Sequence, residues 1–523
     1  MRITAALAVA AAAVAGCTAQ PPTPDSVHTP GRVPDSIQAI MDDPTYAGGR
    51  WGLSVVDLDT GENLIALDDD DEFETGSTAK ILSVTAALNA LGPDHRMETP
   101  VFASGTVDGG TLSGDLVLQG QGDLTLGGRT KADGTIDVPI FDHYDANALP
   151  GVATLTPEDP LAGLDELATK VAASGITRVD GDVLVDDRLW DPVSVGGIPI
   201  TPTVVNDNVI DLLVTPGAAG QPATGTSRPQ TAAYQPTFAV TTGAPDSAID
   251  LDVTETPGAD GSTVLTVTGT VPAGVAPVVH TYQVADPASW ARTLFIEALQ
   301  RAGVAVTADP LAQNEADRLP STSDLSTETP VAVFTSPPFS ETAKLINKVS
   351  HNLGANQLPL LLAAQQGQRT LDNGLALQWA QMQKGGLTSS DATIIDGQGL
   401  PGNLVTPAGM TTYLDHITST PTFETFFDST PILGVDGSLA SVLPAGDPAI
   451  GHGHAKTGTL VGAGTTTPYL LVTKALAGYI DAKSGHRLAF ALFVNDVPIE
   501  KVQAVLKANS DLGAIASALY SRY

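Results

Sequence analysis

The sequence holds one Ser-x-x-Lys (Ser77-Thr78-Ala79-Lys80), one Ser-x-Asn (Ser350-His351-Asn352) and one Lys-Thr-Gly (Lys456-Thr457-Gly458), the last followed by Thr459. A serine hydroxyl becomes a useful nucleophile when a base takes its proton, a relay serves the leaving group and preorganised donors meet the oxyanion. Ser77 and Lys80 are three apart, which on a helix puts both side chains on one face. They stand directly before the apolar-rich run "ILSVTAALNALG", where a helix should open. Small polar residues often open helices without doing chemistry, and this stretch alone does not separate a helix start from a nucleophile with its base. The three motifs together, once each and in this order, match a set with a stated mechanism.

Those residues need a scaffold. "WGLSVVDLDTGENLIALDDDD" predicts two strands around an Asp-Thr-Gly-Glu turn, and a helix is expected from Ser77 to about Leu91. From about 101 to 330 short β-rich pieces alternate with Gly and Asp turns. Two helices interrupt them, "PLAGLDELATKVAASG" and "DPASWARTLFIEALQRAG", and "PGAAGQPATGTSRPQTAAYQ" reads as a low-complexity loop or linker. Helices return at "FSETAKLINKVSHNLGANQLPLLLAAQQG" and "LDNGLALQWAQMQKGG", with Ser350 within or just after the helical stretch "ETAKLINKV", where a loop between helices could present it. "HAKTGTLVG" reads as a strand entry. A second hairpin turns at Lys483 to His486, and a last amphipathic helix closes the chain. A hairpin near each end of the α/β part suggests one sheet built from both termini, with the middle block inserted between them.

Composition narrows the class. The 523 residues allow two to four domains. A formal net charge of −33 argues against a nucleic-acid partner, which needs a basic face. The first residues, "MRITAALAVAAAAVAGCTAQ", form a short apolar run behind a single Arg, too short to span a bilayer. Val14-Ala15-Gly16-Cys17 resembles a bacterial lipobox, which would make Cys17, the only cysteine, a lipidation site. An ordinary signal peptide that happens to contain Cys is the alternative. Residues 18–35, rich in Pro, Thr, Ser and Asp, read as a flexible tether.

The motif set and its spacing resemble one family. Ser77 and Ser350 lie 273 residues apart. That is room for a whole β-rich insertion, as in the class C low-molecular-mass penicillin-binding proteins, the D-alanyl-D-alanine carboxypeptidases/endopeptidases of bacterial cell walls. "LVLQGQGDLTL", "GDVLVDDRLWD", "VVNDNVIDLLVTPG" and "DGQGLPGNLVTP" are similar to that family as well. The resemblance implies a multidomain α+β fold: a β-lactamase/transpeptidase-like domain, an antiparallel sheet flanked by helices, formed by 36–104 and 331–523. It implies two smaller β-rich domains at 105–330, the second nested at about 217–275, after a signal peptide at 1–17 and a linker at 18–35. It implies Ser77 as nucleophile, Lys80 as base, Ser350 as proton relay with Lys456, and Asn352 holding Lys80 and a substrate amide. Backbone N–H groups of Ser77 and Thr459 would form the oxyanion hole, with Thr457, Gly458 and Thr459 lining the subsite for the terminal carboxylate. The expected partners are peptidoglycan stem peptides and β-lactams, outside the cytoplasm and with a membrane contact only through an N-terminal lipid; no cofactor or metal is called for. A non-catalytic wall-binding lipoprotein and a β-lactamase are the alternatives. Thr75-Gly76 departs from the Pro-Ala common before Ser-x-x-Lys, Asn356 stands where an acidic residue is common, and "RTKADGTIDVPIFDHYDANALPG" has no counterpart.

Other patterns carry less. "GHGHAKTGT" has Ala455 where a P-loop needs Gly. His452 and His454 on a Gly-rich turn are expected to face solvent rather than a metal. Gly120-Gln121-Gly122 lacks the rest of a dinucleotide fingerprint. His351, at its motif's variable position, is expected at the surface or in a wall of the site, Asp396-Gly397 in a structural turn beside it, and Asp68 to Asp71 in a solvated loop. Asp186, Asp187 and Asp191 are candidate contacts for a diamino side chain, with a surface role as the alternative.

Overall fold

The structure is a computed structural model that describes residues 32–501 and 503–523. Cys17, the apolar run before it and residues 18–31 of the expected tether lie outside the described residues. No helix among the described residues is long and apolar enough to cross a membrane.

The central element is a five-stranded antiparallel sheet, in the order Asn63–Leu67, Arg50–Asp57, Arg487–Ile499, Tyr469–Asp481 and Gly453–Ala463. Both ends of the chain contribute, and both hairpins turn where the sequence places them. The two inner C-terminal strands are apolar on both faces because each face is covered. Leu476, Ile480, Leu488, Phe490 and Leu492 pack under the Asp35–Met41 and Gln503–Arg522 helices. On the other face Ala475, Ala477, Ala489 and Ala491 join a core with Ile81, Leu82, Val84 and Leu345. Alanines there let the Lys80–Leu91 helix approach the sheet closely, which brings its first turn to the edge strand Gly453–Ala463.

The inserted block is built on a second sheet, in the order Ala305–Val306, Arg178–Val179, Thr111–Gln119, Glu98–Asp108 and Ala332–Thr335, with Val183–Asp186 also paired to Thr111–Gln119. Helices Ala162–Ala173 and Pro287–Arg301 belong to the same block. Two three-stranded sheets follow. One is Val209–Thr215 with Thr224–Arg228 and Val278–Gln283; the other is Tyr234–Gly243, Asp250–Pro257 and Thr263–Pro272. Their apolar residues, among them Leu212, Val240 and Leu265, form one continuous core with Leu116, Leu164 and Phe295. The Glu98–Asp108 strand runs across the junction expected at 104, and its partner Ala332–Thr335 lies beyond the one expected at 330. The second sheet thus takes in residues on both sides of each expected junction. The expected loop at 216–235 also contains a strand, Thr224–Arg228, whose polar residues pair with Val209–Thr215. Pairing to a preformed neighbour overrides its weak local signal.

Candidate active site

Ser77 sits in a 3₁₀ turn, Gly76–Ala79, and the α-helix proper starts at Lys80. The sequence predicted a helix from Ser77; the tighter turn follows from Gly76. Gly76 has φ +48°, and a Cβ there would come 2.8 Å from Thr459 N, so the edge strand is pressed against this turn. The Thr75-Gly76 departure thus has a local cause. Lys80 is fully buried, and its Nζ lies 2.8 Å from Ser77 Oγ, 2.8 Å from Asn352 Oδ1 and 3.1 Å from Gln398 O. A neutral amine has two N–H donors and one lone pair. Two of these partners are pure acceptors, so they take both donors and leave the lone pair facing the Ser77 hydroxyl. Burial lowers the Lys80 pKa to about 7, against the opposing fields of Asp145 and Asp396.

Ser350 lies between the helices Phe339–Lys348 and Asn352–Gln365, in the left-handed region with φ +64°. Lys456 Nζ donates to Ser350 Oγ at 2.9 Å and to Thr457 O at 3.0 Å. Burial first, then the neighbouring amines of Lys80 and Lys474, holds its pKa well below the usual lysine range. Gly458 packs against the serine turn so closely that a Cβ would meet Thr75 O at 2.4 Å. Thr457 Oγ1 donates to Ser438 Oγ at 2.9 Å, and Thr459 Oγ1 accepts from Lys474 Nζ at 2.8 Å. The three motifs thus lie together: Lys80 gathers Ser77 and Asn352, Lys456 gathers Ser350 and Thr457, Lys474 binds Thr459, and Gly458 packs against the serine turn.

The model of the D-Ala-D-Ala carboxypeptidase 3 (S13) family matches residues 33–514. The chain belongs to that family. A D-alanyl-D-alanine carboxypeptidase of Actinomadura sp. (strain R39) is 30% identical over 504 residues, covering 88% of this chain and 80% of the relative. A carboxypeptidase DacB of Mycolicibacterium smegmatis is 24% identical over 93% of this chain and 89% of its own. Among solved structures, penicillin binding protein 4 (dacB) from Haemophilus influenzae, complexed with a novel β-lactam, shares the fold with a TM-score of 0.65 at 19% identity, covering 93% of this chain and 99% of its own.

In this D-Ala-D-Ala carboxypeptidase a loop and the inserted block complete the cleft. In "DGQGLPGN", Asp396 Oδ1 accepts from the N–H groups of Gln398 at 2.8 Å and Gly399 at 2.6 Å, which turns Gln398 O toward Lys80. Asn356 Oδ1 accepts from Gly397 N at 3.2 Å, so the amide does there what a carboxylate would. The segment 129–151, which had no counterpart, reaches the site. It carries Tyr144, whose ring lies 5.0 Å from that of His351, and the half-buried Asp145, whose carboxyl has its pKa pushed up to about 6 by desolvation.

Of the two places expected for His351, the surface is excluded: it is fully buried and caps the Asn352–Gln365 helix. Its Nδ1 accepts from Gly354 N at 3.1 Å, which leaves the proton on Nε2, 3.3 Å from Asp207 Oδ2. That carboxylate also takes Arg129 Nη2 at 2.6 Å and His143 Nε2 at 2.8 Å. Asn206, Asp207 and Asn208 are all left-handed, a conformation that Asn and Asp tolerate and that aims Asp207 inward.

A cavity of about 340 Å³ lies beside Asn352 and Gln398, lined also by Tyr144, Val195, Ile198 and Leu400, with no Asp, Glu, Lys, Arg or His in its wall. Of the three carboxylates considered for a diamino group, two are in ion pairs and Asp187 is bonded through one oxygen only. Asp186 pairs with Arg188 at 2.7 Å, Asp191 with Arg369 at 2.8 Å, and Asp187 accepts from Thr203 N at 3.1 Å. His452 is exposed as expected; His454 is half-buried instead, stacked 3.8 Å from Phe427. Lys474, Ser438, Asp145 and Asp207 escaped the sequence reading. None lies in a motif, and only a lysine amid the strand residues of "LLVTKALAGYI" was a readable signal.

Proposed function

We propose that this D-Ala-D-Ala carboxypeptidase cleaves the bond between the last two D-alanines of peptidoglycan stem peptides through an acyl-enzyme on Ser77. The carrying observation is the placement of Lys80 Nζ, buried, within 2.8 Å of Ser77 Oγ and with acceptors for both its N–H groups. Ser77 Oγ attacks the carbonyl carbon while its proton passes to Lys80. The oxyanion is met by the backbone N–H groups of Ser77 and Thr459, preorganised at a turn whose first N–H groups have no partner within it. The proton taken by Lys80 returns through Ser350, held by Lys456, to the departing D-alanine nitrogen, and the carbon–nitrogen bond breaks. Water then hydrolyses the ester and frees Ser77. Thr457 and Thr459 hold the terminal carboxylate, and the uncharged cavity beside Asn352 takes the residue preceding the scissile pair. The same steps on a D-alanine that bridges two stems make an endopeptidase.

A β-lactam presents a strained amide in the place of the D-alanyl-D-alanine bond. Its leaving nitrogen stays tethered and obstructs water, so the adduct persists. A fluorescent penicillin should label the chain one-to-one at Ser77, and Ser77→Ala should abolish both label and peptide cleavage. A folded Ser77→Ala chain that still labels, or a label on Ser350, overturns the assignment; a wild-type chain that never labels supports the scaffold reading instead. Rapid turnover of the adduct supports a β-lactamase. We place the enzyme outside the cytoplasmic membrane, tethered through lipid on Cys17. Release of a Cys17→Ala chain from membranes is the expected result, and unchanged processing and attachment overturns it.

A further inference from the structure

Lys474 is a third buried lysine at the cleft, and the mechanism above leaves it without a task. It stands directly opposite Thr459 in the register of the Gly453–Ala463 and Tyr469–Asp481 strands, so the two side chains share a sheet face. Only 4% of Lys474 is exposed, and among the described residues Thr459 Oγ1, at 2.8 Å, is its one side-chain hydrogen-bond partner. No carboxylate lies within ion-pair distance of it among the described residues. An ammonium buried so deeply without an anion is costly, and burial lowers its pKa to about 7. The two threonine hydroxyls also differ. Thr457 spends its proton on Ser438, whereas Thr459 accepts from Lys474 and has no acceptor of its own among the described residues. With its oxygen bound from behind, the Thr459 hydroxyl can only point its proton into the cleft. Lys456, one residue before Thr457, projects to the other sheet face and is engaged with Ser350.

We propose that Lys474 is a positioning residue that sets specificity for a free carboxylate: it aims and polarises the Thr459 hydroxyl and supplies the counter-charge from behind it. This rests on reading Thr457 and Thr459 as the holders of the terminal carboxylate. It divides the work of the lysines, with Lys456 serving the Ser350 relay and Lys474 the substrate's negative end.

The test compares a short peptide ending in D-Ala-D-Ala with its C-terminal amide on the full chain. Lys474→Met should lower kcat/KM for the free acid by roughly 10- to 100-fold, the worth of a hydrogen bond to a charged group, mainly through KM. The amide should lose far less. Lys474→Gln, which keeps a donor without the charge, should lose the same preference, and Lys474→Arg should retain most of it. Because an unpaired buried charge is removed, the unfolding midpoint of Lys474→Met should not fall. Lys474→Met or Lys474→Gln chains that keep the wild-type preference, or an equal loss on both peptides, overturn the proposal. A wild-type enzyme with no preference for the free acid would instead overturn the reading of the threonine pair.

Discussion

At the scale of single residues the site depends on how many hydrogens each amine carries. Lys80 meets two acceptors and one hydroxyl, a set that a neutral amine satisfies with its lone pair on Ser77. Burial lowers its pKa from 10.5 to about 7, so the basic form grows as pH rises through neutrality rather than in the alkaline range of a free lysine. Acylation by a β-lactam should therefore increase along a limb centred near pH 7 and be lost on the acid side. Rapid-quench or fluorescence rates between about pH 5.5 and 8.5 check this, and a flat profile contradicts it. Lys80→Met should remove the limb and slow acylation by roughly 10²- to 10⁴-fold, the usual range for loss of a general base. The pairing of Ser77 with Lys80 was legible from their spacing alone. The two acceptors were not, because Asn352 and Gln398 are 272 and 318 residues away from Lys80.

At the scale of elements, strain is placed where the second motif must turn. Ser350 joins two helices at φ +64°, a left-handed conformation that costs a non-glycine residue about 1–2 kcal/mol. Glycine would relieve it. Ser350→Gly should unfold at a higher denaturant midpoint than Ser350→Ala, while both lose the hydroxyl and fall well below wild type in peptide cleavage. Equal midpoints for the two variants would show that the turn is unstrained. The helix pattern around Ser350 and a loop between helices to present it were readable in the sequence, but the cause of the break was not. The break is imposed by His351, whose side chain caps the second helix from a buried position that no local pattern marks.

At the scale of the whole molecule, a buried charge cluster of the inserted block lies against the second motif. Asp207 takes Arg129 and His143, Arg129 also binds Asp142 through a second nitrogen at 2.6 Å, and His351 Nε2 lies 3.3 Å from Asp207 Oδ2. Removing one member of such a set leaves its partners buried and uncompensated, at a cost of about 3–5 kcal/mol. Asp207→Ala should lose stability on that scale in chemical unfolding. It should also slow β-lactam acylation, because His351 stands between Ser350 and Asn352. Normal acylation kinetics in a destabilised Asp207→Ala chain would mean that the network serves the fold and not the cleft.

The sequence by itself determined the three motifs, the family they point to, the two hairpins and the amphipathic segments that build one sheet from both ends of the chain. Local spacing suffices for these, since a turn, a strand alternation and a serine three residues before a lysine are all short-range patterns. The tertiary structure alone decided which groups face Lys80, that Asp145 and Asp207 of the inserted block lie against the second motif, and that Lys474 stands behind Thr459. Each of these depends on strand register or on packing between segments tens to hundreds of residues apart. A buried charge leaves no local mark of its own: it becomes visible only when the partners that make its burial tolerable have been brought around it.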